Sequence, residues 1–363
     1  MSDKLYQNFV NQITDIVGEE FGITDSTGII LACSNEKKVG MKNQIISQIL
    51  EQEQEEEYVT FEGQCFQKVY VKEKLEFIIF INSCNQDNEK ILALISMNLK
   101  NLKLFYEEKY DKINFIKNII RDNILPGDIT LKAKELRFPN NVFRIVFLIQ
   151  TVKTRDIYAY EIVEGLFPNR NKDFIVILDD ETTVLIKELK TQDNFEEIEN
   201  ISQVIVDTLS TEAMIKAKIG IGTVVDSLRD LAKSFKEAQM ALQIGEIFDS
   251  EKSVVNYNKL GIGRLIYQLP TTLCKLFLDE VFQKGAYETL DTETMHTIQK
   301  FFENNLNISE TSRQLYIHRN TLVYRLEKIQ KSTGLDVKLF DDAIIFKVAV
   351  LVKKYLDNQI LEY

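Results

Sequence analysis

The chain has 363 residues, 45% of them apolar and 27% charged, and a formal net charge of −11. That length exceeds one compact domain and suggests two or three, and the composition is that of an ordinary soluble globular protein. No apolar run reaches the ~18 residues that span a bilayer, and the start, MSDKLYQNFVNQ, lacks the basic and apolar regions of a signal peptide, so a cytoplasmic protein without membrane contact is expected.

Reactive side chains are sparse. The four cysteines, Cys33, Cys65, Cys84 and Cys274, are scattered with no C-x-x-C pair, so buried free thiols are expected rather than a disulfide framework or a zinc site. The two histidines, His296 and His318, are too few and too far C-terminal to suggest a Ser-His-Asp or Cys-His active site or a His-rich metal site. No metal and no cofactor is expected. Enzymes that work with carboxylates or lysines alone stay open.

In chain order, Leu5, Phe9, Ile13, Ile16 and Val17 keep helical spacing, and Gly18 ends the pattern. Asp25-Ser26-Thr27-Gly28 reads as a turn between two short strands, and Cys65 to Val71 and Leu75 to Ile81 have the alternation and β-branched content of paired strands. These elements suggest a small α+β sensor of the PAS or Cache kind over residues 1–87. Its loop from Ser34 to Lys42 offers Ser34, Asn35, Lys38 and Lys42 as donors to a small carboxylate; the plainer reading is a solvated basic loop. The run Glu51 to Glu57 holds five Glu in seven positions and is expected to be exposed.

Residues 88–125 read as a long helix without Gly or Pro. Ile91, Ile95, Leu102, Phe105, Ile113, Ile116 and Ile120 approximate the spacing of a two-helix seam, which suits either a dimerising linker or a helix packed on its own domain. Leu125-Pro126-Gly127-Asp128 marks a boundary. Over 126–256, strands at Val142–Ile149, Phe174–Leu178, Thr183–Ile186 and Ala217–Gly222 alternate with helices at Ile157–Leu166, Phe195–Leu209 and Asp226–Ile244, as in an α/β sandwich. The hairpin Leu178-Asp179-Asp180-Glu181-Thr182-Thr183 has acids but no glycine that would let a backbone approach nucleotide phosphates, so a plain type I turn is expected. Gly220 and Gly222 are too isolated for a phosphate-cradling loop.

Residues 257–363 contain two short amphipathic segments separated by a tight turn. The first runs from about Ser309, a suitable N-cap beside Glu310, to Leu315. The second begins near His318 or Arg319. Its Leu322, Leu326 and Ile329 form a core stripe, which turns Asn320, Tyr324, Glu327 and Lys331 outward and leaves Arg319, Thr321, Arg325 and Lys328 on the flanks. From Asn307 to Lys331, five Lys or Arg stand against two Glu, net +3. A basic outer face on a helix-turn-helix suits double-stranded DNA, where cations release counterions and Arg or Asn reads base edges. Arg319, Asn320 and Tyr324 are then candidates for base edges, and Arg313, Thr321, Lys328 and Lys331 for phosphates. Arg325 could instead pair with Glu310 or Glu327. A solvated helical hairpin is the plainer alternative.

The run IHRNTLVYRL from Ile317 to Leu326, followed by Thr333-Gly334-Leu335-Asp336, resembles the C-terminal helix-turn-helix of the sugar-diacid-regulator family, the CdaR/PucR-type bacterial transcription factors. The resemblance implies that His318 to Arg325 open a recognition helix and that Asn307 to Leu315 form the positioning helix. Ser312 stands where the family more often has Ala. Ile219–Gly222, Ser234–Leu242 and Tyr257–Gly261 resemble the family's degenerate GGDEF-like domain, and Asp25–Ile29 with Asn35–Gly40 resembles its diacid-recognition domain. The His-x-x-Ala-like stretch that commonly follows is missing.

The expected architecture is multidomain α+β, with a PAS/Cache-like sensor (1–87), a linker helix (88–125), a degenerate GGDEF-like α/β domain (126–256) and an all-α helix-turn-helix domain (257–363). The expected function is a ligand-responsive DNA-binding regulator, not an enzyme, that responds to a small-molecule effector such as a carboxylate and acts as a homodimer or higher oligomer. The alternatives are a dimeric signalling adaptor and a nucleotide-binding enzyme working through the GGDEF-like domain.

Overall fold

The computed structural model describes residues 2–51, 56–152, 159–169, 171–192, 194–282 and 286–361. The chain divides into two compact units, Met1–Asn114 and Phe115–Tyr363.

The first unit opens with α1 (Ser2–Val17), which stops where Gly18 takes a φ of 68°. Its buried face is centred on Tyr6, Val10 and Val17, with Phe9 and Ile13 at the margin. Ile16 is 76% exposed, so the expected stripe is turned by about one residue. A five-stranded antiparallel sheet follows, from β1 (Phe21–Asp25), β2 (Ile30–Cys33), β3 (Tyr58–Phe61), β4 (Gln64–Val71) and β5 (Lys74–Ile81), in the order β2-β1-β5-β4-β3. The β1–β2 turn is held by the Asp25 carboxylate, which accepts from the backbone N–H of Thr27 at 2.8 Å and of Ile29 at 3.0 Å. Gly28 supplies the positive φ there, 89°. β3 was not apparent from the sequence. Of the acidic run, residues 52–55 lie outside the described residues, and Glu56 and Glu57 are exposed.

The unbroken apolar run of β5 is explained by burial on both faces. Phe77, Ile79 and Ile81 face α1 and α3 (Gln86–Ile120), whereas Ile78 and Phe80 face Ile46 and Ile49 of α2 (Gln44–Glu51). Along α3, Ile95 is buried and Ile91 and Leu102 pack on the same core, so these positions of the expected seam serve their own domain. Leu94, Met97, Phe105 and Tyr110 are the exposed apolar residues of this helix.

One cysteine expectation is corrected: Cys65 and Cys84 form a disulfide, with Cα atoms 5.4 Å apart. Motif spacing misses it because the antiparallel register of β4 and β5 brings the two together, placing Cys65 opposite Ile81, three residues before Cys84. Cys33 and Cys274 are free and buried, and burial raises both thiol pKa values.

In the second unit, Phe115, Ile116, Ile119 and Ile120 at the end of α3 are buried. The Leu-Pro-Gly-Asp stretch starts α4 (Pro126–Glu135), with proline in the first turn, where its missing N–H costs nothing. A second sheet is built from β6 (Asn141–Thr151), β7 (Phe174–Ile177), β8 (Thr182–Glu188), β9 (Ala217–Ile221), β10 (Val225–Ser227) and β11 (Val254–Asn256). The order is β11-β9-β6-β8-β7, with β10 on β6, and β11 is parallel to β9. α5 (Ala159–Leu166) and α6 (Phe195–Ala213) cover the face formed by Ile145, Phe147, Ile149, Ile219 and Ile221. Ile157, the expected start of α5, lies outside the described residues.

α7 (Leu231–Phe248) packs on β6 and β9. It begins later than expected because Asp226 belongs to β10 and residues 228–230 form a 3-10 turn. Gly220 and Gly222 serve this packing. A Cβ on Gly220 would lie 2.1 Å from the Ala238 carbonyl oxygen, and one on Gly222 would lie 2.0 Å from that of Ser234, so only glycine lets the helix approach this closely. Among the described residues, the C-terminal part of the chain forms the α-helices α8 (Gly263–Tyr267), α9 (Thr271–Val281), α10 (Thr292–Glu303), α11 (Ile308–Gln314), α12 (Arg319–Thr333) and α13 (Phe340–Leu361).

Candidate nucleic-acid interface

The candidate interface is made by α11, α12 and the turn between them. α11 is capped by Asn307, whose side-chain oxygen accepts from the Glu310 N–H at 3.1 Å. Ser309 therefore lies within the helix, a correction: Asn307 already has the extended backbone a cap requires and supplies the oxygen two residues earlier. Ser312 is buried and returns its hydroxyl to the Ser309 carbonyl at 3.0 Å, so the polar atom is satisfied within the packed helix.

α12 is capped in turn by His318, whose Nδ1 accepts from the Asn320 N–H at 3.2 Å. Gly334, at a φ of 79°, closes the far end. Leu322, Leu326 and Ile329 are fully buried among Ile298 and Phe301 of α10 and Phe346 and Ala349 of α13. This fixed stripe leaves His318, Arg319, Asn320, Thr321, Tyr324 and Lys331 exposed. Among the described residues, the side chains of Arg319, Asn320, Thr321, Tyr324 and Lys331 make no hydrogen bond or ion pair.

The other basic candidates are engaged within the domain. Arg313 forks onto Glu310 at 3.1 and 2.6 Å, and this hydrogen bonding raises the guanidinium pKa and lowers that of the carboxylate. Arg325 reaches neither Glu310 nor Glu327. It donates to Thr297 at 3.0 Å and pairs with Glu293 at 2.5 Å, both on α10. Lys328 pairs at 2.5 Å with Asp291, the residue that caps α10, and its hydrogen bond holds that carboxyl well below the usual range.

The charge excess between Asn307 and Lys331 leaves out these acids. Counted from Asp291 to Lys331, six Lys or Arg face five Asp or Glu, and the local excess falls to +1. The missed signal is the Asp291-x-Glu293 pair at the start of α10, which only the fold brings beside α12.

In the first unit, the four candidate ligand residues lie in and beside one loop. Ser34 exchanges hydrogen bonds with the backbone of Phe21, Asn35 donates to Glu20 at 3.5 Å, Lys38 pairs with Glu20, and Lys42 is exposed. At the GGDEF-like hairpin, the Asp179 carboxylate accepts from the Glu181 N–H at 3.0 Å. Among the described residues, no group of three or more His, Cys, Asp or Glu could hold a metal ion, and no helix is long and apolar enough to cross a membrane.

Residues 294–352 match the PucR C-terminal helix-turn-helix domain, and residues 122–244 match the GGDEF-like domain. The chain is 30% identical over 138 residues to the purine catabolism regulatory protein of Bacillus subtilis, a stretch covering 38% of this chain and 26% of that one. It is 32% identical over 128 residues to the proline-responsive transcriptional activator PutR of the same organism, covering 34% of this chain and 31% of that one. It is 26% identical over 192 residues to the carbohydrate diacid regulator of Escherichia coli, covering 50% of this chain and 48% of that one. The chain thus spans less than half the length of each of these curated relatives. The crystal structure of a regulator of polyketide synthase expression from Bifidobacterium adolescentis aligns with a TM-score of 0.31 at 14% identity, over 63% of this chain and 87% of that one. By its matches to the GGDEF-like and PucR C-terminal helix-turn-helix domains, and by its similarity to the purine catabolism and carbohydrate diacid regulators, the chain belongs to the CdaR/PucR family.

Proposed function

We propose that this protein is a transcription regulator that binds double-stranded DNA through α11 and α12 and responds to a small-molecule effector through its N-terminal unit. The observation that carries the reading is the start of α12, where Arg319, Asn320, Thr321 and Tyr324 are exposed, without internal partners, and directed by a capped and fully anchored helix. Arg and Asn in that setting suit bidentate contacts to guanine and adenine in the major groove. His318 acts by capping the helix; Thr321 and Lys331 serve the phosphates. Arg313, Arg325 and Lys328 reach phosphates only by exchanging an internal carboxylate for one.

The strand order β2-β1-β5-β4-β3 with helices on both faces supports a PAS- or Cache-like sensor. In the loop from Ser34 to Lys42, the Glu20 carboxylate occupies the donors of Asn35 and Lys38, so an effector carboxylate would bind by displacing it. The exposed Leu94, Met97 and Phe105 of α3, which fall on one face of the helix, are the surface on which a homodimer would form.

The test is binding of the full chain to duplex fragments selected from genomic DNA, measured against salt. Binding should weaken as salt rises, because phosphate neutralisation releases counterions. Asn320→Ala should cost roughly 1–3 kcal/mol on a selected fragment and leave random duplex unaffected. Equal loss on both would remove Asn320 from base reading.

A further inference from the structure

The turn between α11 and α12 passes through Tyr316, which has a φ of 55°. Glycine takes this left-handed conformation freely, and a bulky L residue does not. Where this fold places other large residues at positive φ, the side chain can compensate: Leu306, at 62°, packs against the core of the helical domain. Tyr316 has no such return. Its side chain is 96% exposed, and among the described residues its phenol has no hydrogen bond and no ring contact. Met214, at a φ of 54° and 90% exposed, shows that the conformation alone is tolerated at a helix end. Tyr316 differs in carrying a hydroxyl and in standing two residues before the His318 cap, beside the unpartnered start of α12.

A strained residue with an exposed polar tip at the rim of a binding helix points to a contact made outside the chain. Resting on the DNA-binding reading above, we infer that Tyr316 is a backbone-positioning residue: its phenol donates to a phosphate oxygen at the edge of the major groove and fixes how deeply α12 enters. Tyrosine is among the side chains that make such contacts, and they set register without reading sequence. With Arg313, Arg325 and Lys328 committed to carboxylates, a neutral donor at this turn needs no ion pair to be broken before it reaches the phosphate.

The experiment uses the full chain, a fragment selected from genomic DNA by the wild type, and a random duplex of equal length. Tyr316→Phe, which removes only the hydroxyl, should weaken binding to both duplexes by a similar factor of about ten to a hundred, the scale of one hydrogen bond to a charged acceptor. Tyr316→Gly should weaken both at least as much while raising the thermal midpoint, because it relieves the backbone. If the wild type binds and Tyr316→Phe keeps full affinity for both duplexes, this inference alone falls. Loss confined to the selected fragment also overturns it, since Tyr316 would then read bases. If the wild type binds neither duplex, the DNA-binding reading falls and takes this inference with it.

Discussion

Arg325 lies within the family motif, yet its contacts are to protein. Replacing it with alanine removes one hydrogen bond to the buried Thr297 hydroxyl and one ion pair to Glu293. The Thr297 hydroxyl still donates to the Glu293 carbonyl at 2.8 Å, so no buried group is orphaned. The first contact is a charged hydrogen bond from a side chain only 18% exposed, worth roughly 1–2 kcal/mol. The second reaches a carboxylate that is 71% exposed, worth about 0.2–1 kcal/mol. With some lost packing of the aliphatic stem, the change should cost about 1.5–3 kcal/mol. Glu293→Ala should cost less than about 1 kcal/mol, and the double variant should be less destabilised than the two singles added, by roughly that ion-pair energy. Urea denaturation followed by circular dichroism provides the measurement, with an unchanged m value as the check that only stability moved. An Arg325→Ala protein of wild-type stability whose DNA binding loses about one unit of salt slope would refute the anchoring argument and return Arg325 to the phosphates.

Further outcomes are expected. Gly222→Ala should destabilise the second unit by about 1–3 kcal/mol, since the new methyl would sit 2.0 Å from the Ser234 carbonyl; an unchanged urea midpoint would mean that α7 does not need this close approach. Thiol counting on denatured, unreduced protein should find Cys33 and Cys274 free and Cys65 and Cys84 blocked, and four reactive thiols would contradict the pairing. Incubation with GTP and Mg²⁺ should give no cyclic dinucleotide, because the acidic β7–β8 turn offers no glycine for phosphate approach and engages Asp179 within itself. Detection of that product would restore the enzyme reading.

What the sequence made legible is what is local. The stripe Leu322, Leu326, Ile329 follows from helix geometry alone, and so does the direction in which Asn320 and Tyr324 point. The turn at Asp25–Gly28 was readable because a short carboxylate and a glycine act within a few residues. Features that depend on distant segments were not readable. Arg325 meets Glu293 across 32 residues, and Lys328 meets Asp291 across 37, so a charge count confined to the motif overstated the free positive charge. Cys65 and Cys84 meet through strand register, a relation spacing motifs do not encode. Gly220 and Gly222 are too isolated to cradle a phosphate, and their use is evident only with α7 packed against them. On α1 and α3, apolar spacing located the helices and misjudged which residues face outward, because each helix has more apolar positions than its buried face accommodates.

The acids of α10 also bear on how such a module would behave among a large excess of irrelevant duplex. By occupying Arg325 and Lys328, Asp291 and Glu293 leave Arg319 and Lys331 as the unpaired cations of α12. A helix-turn-helix with so little free charge, on a chain of net charge −11, has little to retain it on arbitrary sequence. It would leave wrong sites quickly, and its residence would depend on the few groups that touch bases.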